Sequence, residues 1–175
     1  MSEAPDTPKI DNLHDLLAVA YQIEIDAVAR YNLLADQMET HNNPELVKVF
    51  RDLARAEGIH GEEIRRMAGD FDVVDHASKI AKFASDSPEE ADLSAAHYLM
   101  TPWHALQLSL KGEERALAYF TSIVETTTDP EVRKMAAELV EEETEHVQLV
   151  HRLLRRYPEP GRGWADDLDP PQSLE

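Results

Sequence analysis

Four long stretches of this chain repeat their apolar residues at the three- and four-residue spacing of a one-sided helix. They predict helices over about 11–41, 44–68, 102–127 and 130–156, with Asp11 as the cap of the first. Each is well beyond the mean helix of about 11–12 residues, and such length favours a bundle. Helix starts are marked by a capping residue before proline, at Asn43-Pro44, Ser87-Pro88, Thr101-Pro102 and Asp129-Pro130. Proline suits the first helical position because its missing N–H would find no partner there anyway. Ser87 with Glu90 also reads as a capping box. Gly69 fits the stop of the second helix.

The links between the first and second helices, and between the third and fourth, are very short. Each pair must therefore fold as an antiparallel hairpin. Residues 69–100 are left to cross over from one hairpin to the other, with short helical pieces, so that the second and third long helices run parallel. The expected architecture is all-α: a four-helix bundle over 11–156, with tails at 1–10 and 157–175. The C-terminal tail is rich in Pro, Gly and Asp, and Trp164 could anchor it.

The hairpins look like copies. Pro44 precedes Glu57 by 13 residues, and Pro130 precedes Glu143 by 13. Glu39-Thr40 before the first turn matches Glu125-Thr126 before the second. Glu24, Ala27 and Tyr31 correspond to Glu113, Ala116 and Phe120. Such a repeat suggests a pseudo-twofold bundle.

The apolar stripes are interrupted in one way. Glu24 lies among Leu17, Ala20, Tyr21, Ala27, Val28 and Tyr31; Glu57 lies among Phe50, Leu53, Ala54, Gly61 and Ile64. Glu113 has Leu106, Leu110, Ala116, Leu117 and Phe120 beside it, and Glu143 has Ala136, Leu139, Val140, Val147 and Val150. A buried, unpartnered carboxylate costs several kcal/mol. The only basic residues on these faces are His60 and His146, in Glu57-x-x-His60 and Glu143-x-x-His146. Four carboxylates and two imidazoles suit two iron or manganese ions. By this reading metal cations, and not salt bridges, meet the need. Glu142 and Glu114 are second choices in their helices, and Glu145 sits on a polar face. Glu62 and Glu63 read as partners of Arg65 and Arg66. His14, His41, His76, His97 and His151 read as surface or boundary residues, and His104 as lying near the end of the bundle. Tyr31 shares the face of Glu24 and is a candidate for a part in the chemistry.

Composition narrows the classes. At 175 residues, 42% hydrophobic and 30% charged, the chain reads as one ordinary globular domain. Its net charge of −18 argues against nucleic acid and anionic membranes as partners, and favours cations. Without cysteine there is no disulfide, Fe–S cluster or thiol catalysis. The polar start MSEAPDTPKI carries no signal-type apolar core, and no apolar run reaches the roughly 18 residues of a membrane span. A cytoplasmic protein is expected.

With these residues in view, IEIDAVARYNLLADQ with LARAEGIHGEE, and LKGEERALAYFTSIV with ELVEEETEHVQL, resemble the rubrerythrin branch of the ferritin-like superfamily over residues 11–156. The resemblance implies a di-iron or mixed-metal bundle that reduces hydrogen peroxide or oxidises Fe²⁺. It implies Glu24, Glu57, His60, Glu113, Glu143 and His146 as metal ligands, with Glu57 and Glu143 bridging two iron ions, or Mn or Zn in their place. An external electron donor is implied because no cysteine can build the family's rubredoxin-like iron site. A homodimer is expected from the superfamily's habit of burying an outer helix face. Metal sequestration or sensing without turnover, a di-iron hydroxylase, and a non-metal helical module stand as alternatives.

One position departs from the family pattern. It carries glutamates 33 and 30 residues before the second Glu-x-x-His motif. Here Glu113 stands at 30 but Leu110 stands at 33, whereas Glu24 precedes Glu57 by 33. Either one metal loses a carboxylate, or a bulge in the third long helix realigns Glu113.

Overall fold

The structure, a computed structural model, describes residues 10–83 and 100–161. Helix α1 spans Leu13–Thr40, α2 Pro44–Ala68, α3 Val73–Phe83, α4 Pro102–Thr126 and α5 Pro130–Leu154. Among the described residues there is no strand. The Ser87 start, His97, Tyr98 and Trp164 lie outside the described residues.

Caps set most boundaries as expected. The Asn43 side chain accepts from the Leu46 N–H at 3.1 Å, and Asp129 accepts from Glu131 and Val132 at 2.8 and 3.3 Å. At α1 the cap is Asn12 and not Asp11: Asn12 Oδ1 accepts from the Asp15 N–H, while the Asp11 N–H donates to the Asp15 carboxylate. Asp11 thus sits one residue outside the helix. At α4 the Thr101 N–H donates to His104 Nδ1, which gives this histidine a capping role. Gly69 closes α2 with a left-handed φ of 60° that a side chain would strain.

Helices α1 and α2 pack as one hairpin and α4 and α5 as another. The core is divided into two apolar clusters. One holds Tyr31 and Met38 of α1, Phe50 of α2, Leu106 and Leu110 of α4, and Val150 of α5. The other holds Leu17 of α1, Ile64 of α2, Phe120 of α4 and Leu139 of α5, closed by Val73 and Ala77 of α3. The N-terminal halves of α2 and α4 share the first cluster, so these helices run parallel and need a crossover. Every long helix passes from one cluster to the other at a buried glutamate. Glu24, Glu57, Glu113 and Glu143 are 2, 2, 2 and 5% exposed. They form a polar layer between two dry halves of the core.

Candidate metal centre

The helical stripes place all four carboxylates in this layer, and both Glu-x-x-His histidines join them. His146 Nδ1 lies 3.1 Å from Glu57 Oε1, 3.4 Å from Glu113 Oε2 and 3.9 Å from Glu143 Oε2. His60 Nδ1 lies 3.5 Å from Glu57 Oε2. The two imidazoles stack with centroids 5.9 Å apart and planes 13° from parallel. Glu57 therefore turns one oxygen toward each histidine.

Protein partners alone do not complete this layer. Glu57 Oε1, Glu143 Oε2, His60 Nδ1 and His146 Nδ1 are buried and make no hydrogen bond. Four such atoms in one buried layer fit a cation-binding centre, because each is a good donor to a divalent metal and a costly orphan without one. Three overlapping groups have donor atoms within 4.8 Å of one another: Glu57, His60 and His146; Glu24, His60 and Glu142; and Glu113, Glu143 and His146.

Burial and crowding set the protonation. Burial pushes the Glu24 carboxyl up to about 11, with further pressure from its bond to Glu57. Burial and the Glu113 charge push Glu143 up to about 10. Glu113 goes the other way, to about 2: burial opposes its charge, but His146 and the Arg30 guanidinium outweigh it. The close approach of the Glu57 carboxyl group raises His60. His146, although burial pulls it down, is raised by Glu113 and Glu57. The layer thus favours the protonated form at Glu24 and Glu143 and the charged form at Glu113.

Two residues alter the sequence reading. Glu142, a second choice by helical spacing, reaches the group of Glu24 and His60, and burial raises its carboxyl. Arg30 overturns the expectation that only histidines could answer the buried carboxylates. Its Nη2 donates to Glu113 Oε1 at 3.2 Å. Arg30 lies off the apolar stripe of α1 by spacing, but its long side chain crosses to α4 over Gly112. A Cβ at Gly112 would fall 2.6 Å from Arg30 Nη2 and 2.7 Å from Nη1. The one signal in the sequence was that glycine beside Glu113.

Tyr31 is fully buried and its hydroxyl bonds Glu113 Oε1, not Glu24; Ser109 Oγ donates to the same hydroxyl at 3.1 Å. Burial and the neighbouring Glu113 charge raise the Tyr31 phenol. Helix α4 is regular α-helix from end to end, so no bulge realigns Glu113. Leu110 packs in the first cluster instead. Glu62 and Glu63 pair with Arg65 and Arg66 at 3.6 and 3.5 Å, as expected of exposed neighbours. A groove of about 440 Å³ opens beside the layer, with His60 and Glu142 in its wall beside Met67 and Met135.

Fold and layer define an all-α, ferritin-like bundle with a carboxylate and imidazole centre at mid-height. The chain belongs to the rubrerythrin family, whose model matches residues 15–154. That membership implies a di-iron carboxylate site, and the groups above could hold metal. The chain is similar to the crystal structure of an uncharacterised conserved protein from Magnetospirillum magnetotacticum MS-1. The two are 32% identical with a TM-score of 0.69, and the match covers 86% of this chain and 98% of that one. No curated protein matches. Among the described residues, no helix is long and apolar enough to cross a membrane.

Proposed function

We propose that this protein is a di-iron oxidoreductase that reduces peroxide or oxidises Fe²⁺ at the polar layer. The observation that carries the reading is the set of four orphaned donor atoms in that layer, from Glu57, Glu143, His60 and His146. Glu24, Glu57, His60, Glu113, Glu143 and His146 would hold the metals, with Glu142 as a seventh donor. Glu57 suits a bridging role because its two oxygens face different imidazoles. A ferrous pair bound there would supply two electrons to an O–O bond in one site.

The chain's own residues would do the rest. Carboxylates on four different helices fix the spacing of the pair, since each helix is anchored in both apolar clusters. Those clusters keep bulk water from the layer above and below. Glu24 and Glu143 carry protons that metal would displace, and Glu142, at the groove, could take up or release one. Tyr31 would steady Glu113 and stand as a buried hydroxyl beside the chemistry. The groove suits a small oxidant or a hydrated Fe²⁺ arriving as substrate.

An external electron donor belongs to this reading, because these 175 residues contain no cysteine for a thiolate-ligated redox centre. So does a homodimer, for which the exposed Ile25 and Ile59 offer apolar surface.

The test is metal content after expression with iron, followed by anaerobic Fe²⁺ loading and mixing with peroxide or O₂ in the presence of a reductant. Repeated turnover that disappears in Glu57→Ala/Glu143→Ala supports the proposal. A single stoichiometric burst would identify a sequestering or sensing protein instead. Absence of metal, or wild-type rates in the double variant, would overturn the reading.

A further inference from the structure

The two halves of the polar layer differ in charge. Toward the groove, Glu24, His60 and Glu142 form one group, and His60 also meets Glu57. On the other side, Glu113, Glu143 and His146 meet the guanidinium of Arg30. Arg30 is 14% exposed and reaches Glu113 through the gap over Gly112. Its Cζ also sits 5.3 Å from the centroid of the Tyr31 ring. The guanidinium is thus held in place by a bond, a ring face and a glycine cradle.

The contacts of Glu113 divide between its oxygens. Oε1 accepts from Arg30 and Tyr31. Oε2 points into the layer, 3.4 Å from His146 Nδ1. One oxygen is engaged by the protein and the other is left for a metal. Leu110 adds no carboxylate on this side; it packs in the apolar cluster.

From this, and resting on the metal-binding reading above, we propose that Arg30 is a built-in counter-cation that makes the Glu113 half the weak half of the centre. A first divalent ion binds at Glu24, His60 and Glu142 with Glu57. A second binds more loosely at Glu113, Glu143 and His146, with Glu57 shared between the two. There it is repelled by a permanent positive charge and offered a single oxygen of Glu113. Arginine cannot relieve this by losing a proton at any accessible pH. Arg30 acts through Glu113 and is a positioning residue.

The experiment is calorimetric and spectroscopic titration of the metal-free protein with Co²⁺, which needs no oxidant and no turnover. Wild type should show two steps, the second at least tenfold weaker. Arg30→Gln should tighten the second step at least tenfold and leave the first within about twofold. Gly112→Ala, which displaces the guanidinium without removing it, should move the second step in the same direction. General damage to the fold would weaken both steps, so a selective gain is the diagnostic result. An unchanged or weakened second step in both variants would overturn the proposal. Two equal steps in wild type would overturn it too, while leaving the metal site intact. No Co²⁺ bound at all would overturn the metal-binding reading itself.

Discussion

His146 Nδ1 lies 3.1 Å from Glu57 Oε1, so the histidine of the second Glu-x-x-His motif faces the carboxylate of the first. The motifs sit on α5 and α2, in different hairpins, and neither could build the layer alone. Glu57 also meets His60 of its own motif and the proton of Glu24.

Replacing Glu57 by alanine should therefore weaken both metal steps. Loss of supporting residues around metal ligands costs roughly 10–100-fold in affinity, and a shared ligand should cost at least the upper figure. Equilibrium dialysis against Zn²⁺ or Co²⁺ checks this. Retention of one step at wild-type affinity would show that Glu57 serves only one half.

Metal binding should expel protons. In the metal-free protein Glu24 and Glu143 hold theirs far above an ordinary 4.5. Cations arriving beside them replace those protons as the neutralising charge. Titration near pH 7 in buffers of different ionisation enthalpy should report about two protons released on full loading, with more if the raised histidines give theirs up. A buffer-independent heat would show that the carboxyls were already ionised.

The same shifts give the metal-free protein an unusual pH dependence. An unfolded chain loses the Glu24 and Glu143 protons near 4.5, whereas the folded chain keeps them to about 11 and 10. Protonation thus favours the folded state, and stability falls as pH rises from 4.5. His60 and His146, raised above 6.5, act in the same direction above that value. Glu113, lowered to about 2, acts oppositely, its contribution being lost as pH falls below 4.5. Melting temperature should peak near pH 5 and decline toward pH 9. Glu143→Gln should flatten the decline, because an amide mimics the protonated acid at every pH. A profile rising through this range would contradict the assignment.

Tyr31→Phe should lower the stability of the metal-free protein by about 1–3 kcal/mol, the usual result of taking one partner from a buried polar group. In a domain of this size that is a drop of roughly 2–4 °C in Tm per kcal/mol. The hydroxyl joins Ser109 to Glu113, and its loss strands Ser109 Oγ as well. Thermal melts of wild type and variant decide it, and equal Tm values would mean that water replaces the hydroxyl.

Much of this was legible in the sequence, for physical reasons. Proline after a capping residue marks a helix start whatever the tertiary context, so α2, α4 and α5 begin where expected. Glutamates on apolar stripes face inward because their neighbours do. Asp11 and Asn12 are both good caps, and only the reciprocal bond with Asp15 separates them. Arg30 was illegible because helical spacing locates a Cβ and not the end of a long side chain. Glu142 was ambiguous because it lies between the polar and apolar faces of α5.

Two glycines beside the ligands offer the reverse kind of test. Gly61 lies mid-helix in α2, against Glu24 of α1. A Cβ there would stand 3.7 Å from Glu24 Cβ and 3.7 Å from Ile25 Cδ1, an ordinary contact. At Gly58 the nearest neighbour would be Val28 Cγ2 at 3.9 Å. Neither glycine has a positive φ, so neither needs the freedom that glycine supplies. In a helix interior glycine is worse than alanine by about 0.5–1 kcal/mol. Gly61→Ala and Gly58→Ala should each raise stability by about that amount and leave Co²⁺ binding unchanged. The contrast with Gly112, where alanine must push Arg30 aside, makes the set informative. If Gly61→Ala destabilises the protein, α1 and α2 pack more closely at Glu24 than the structure indicates.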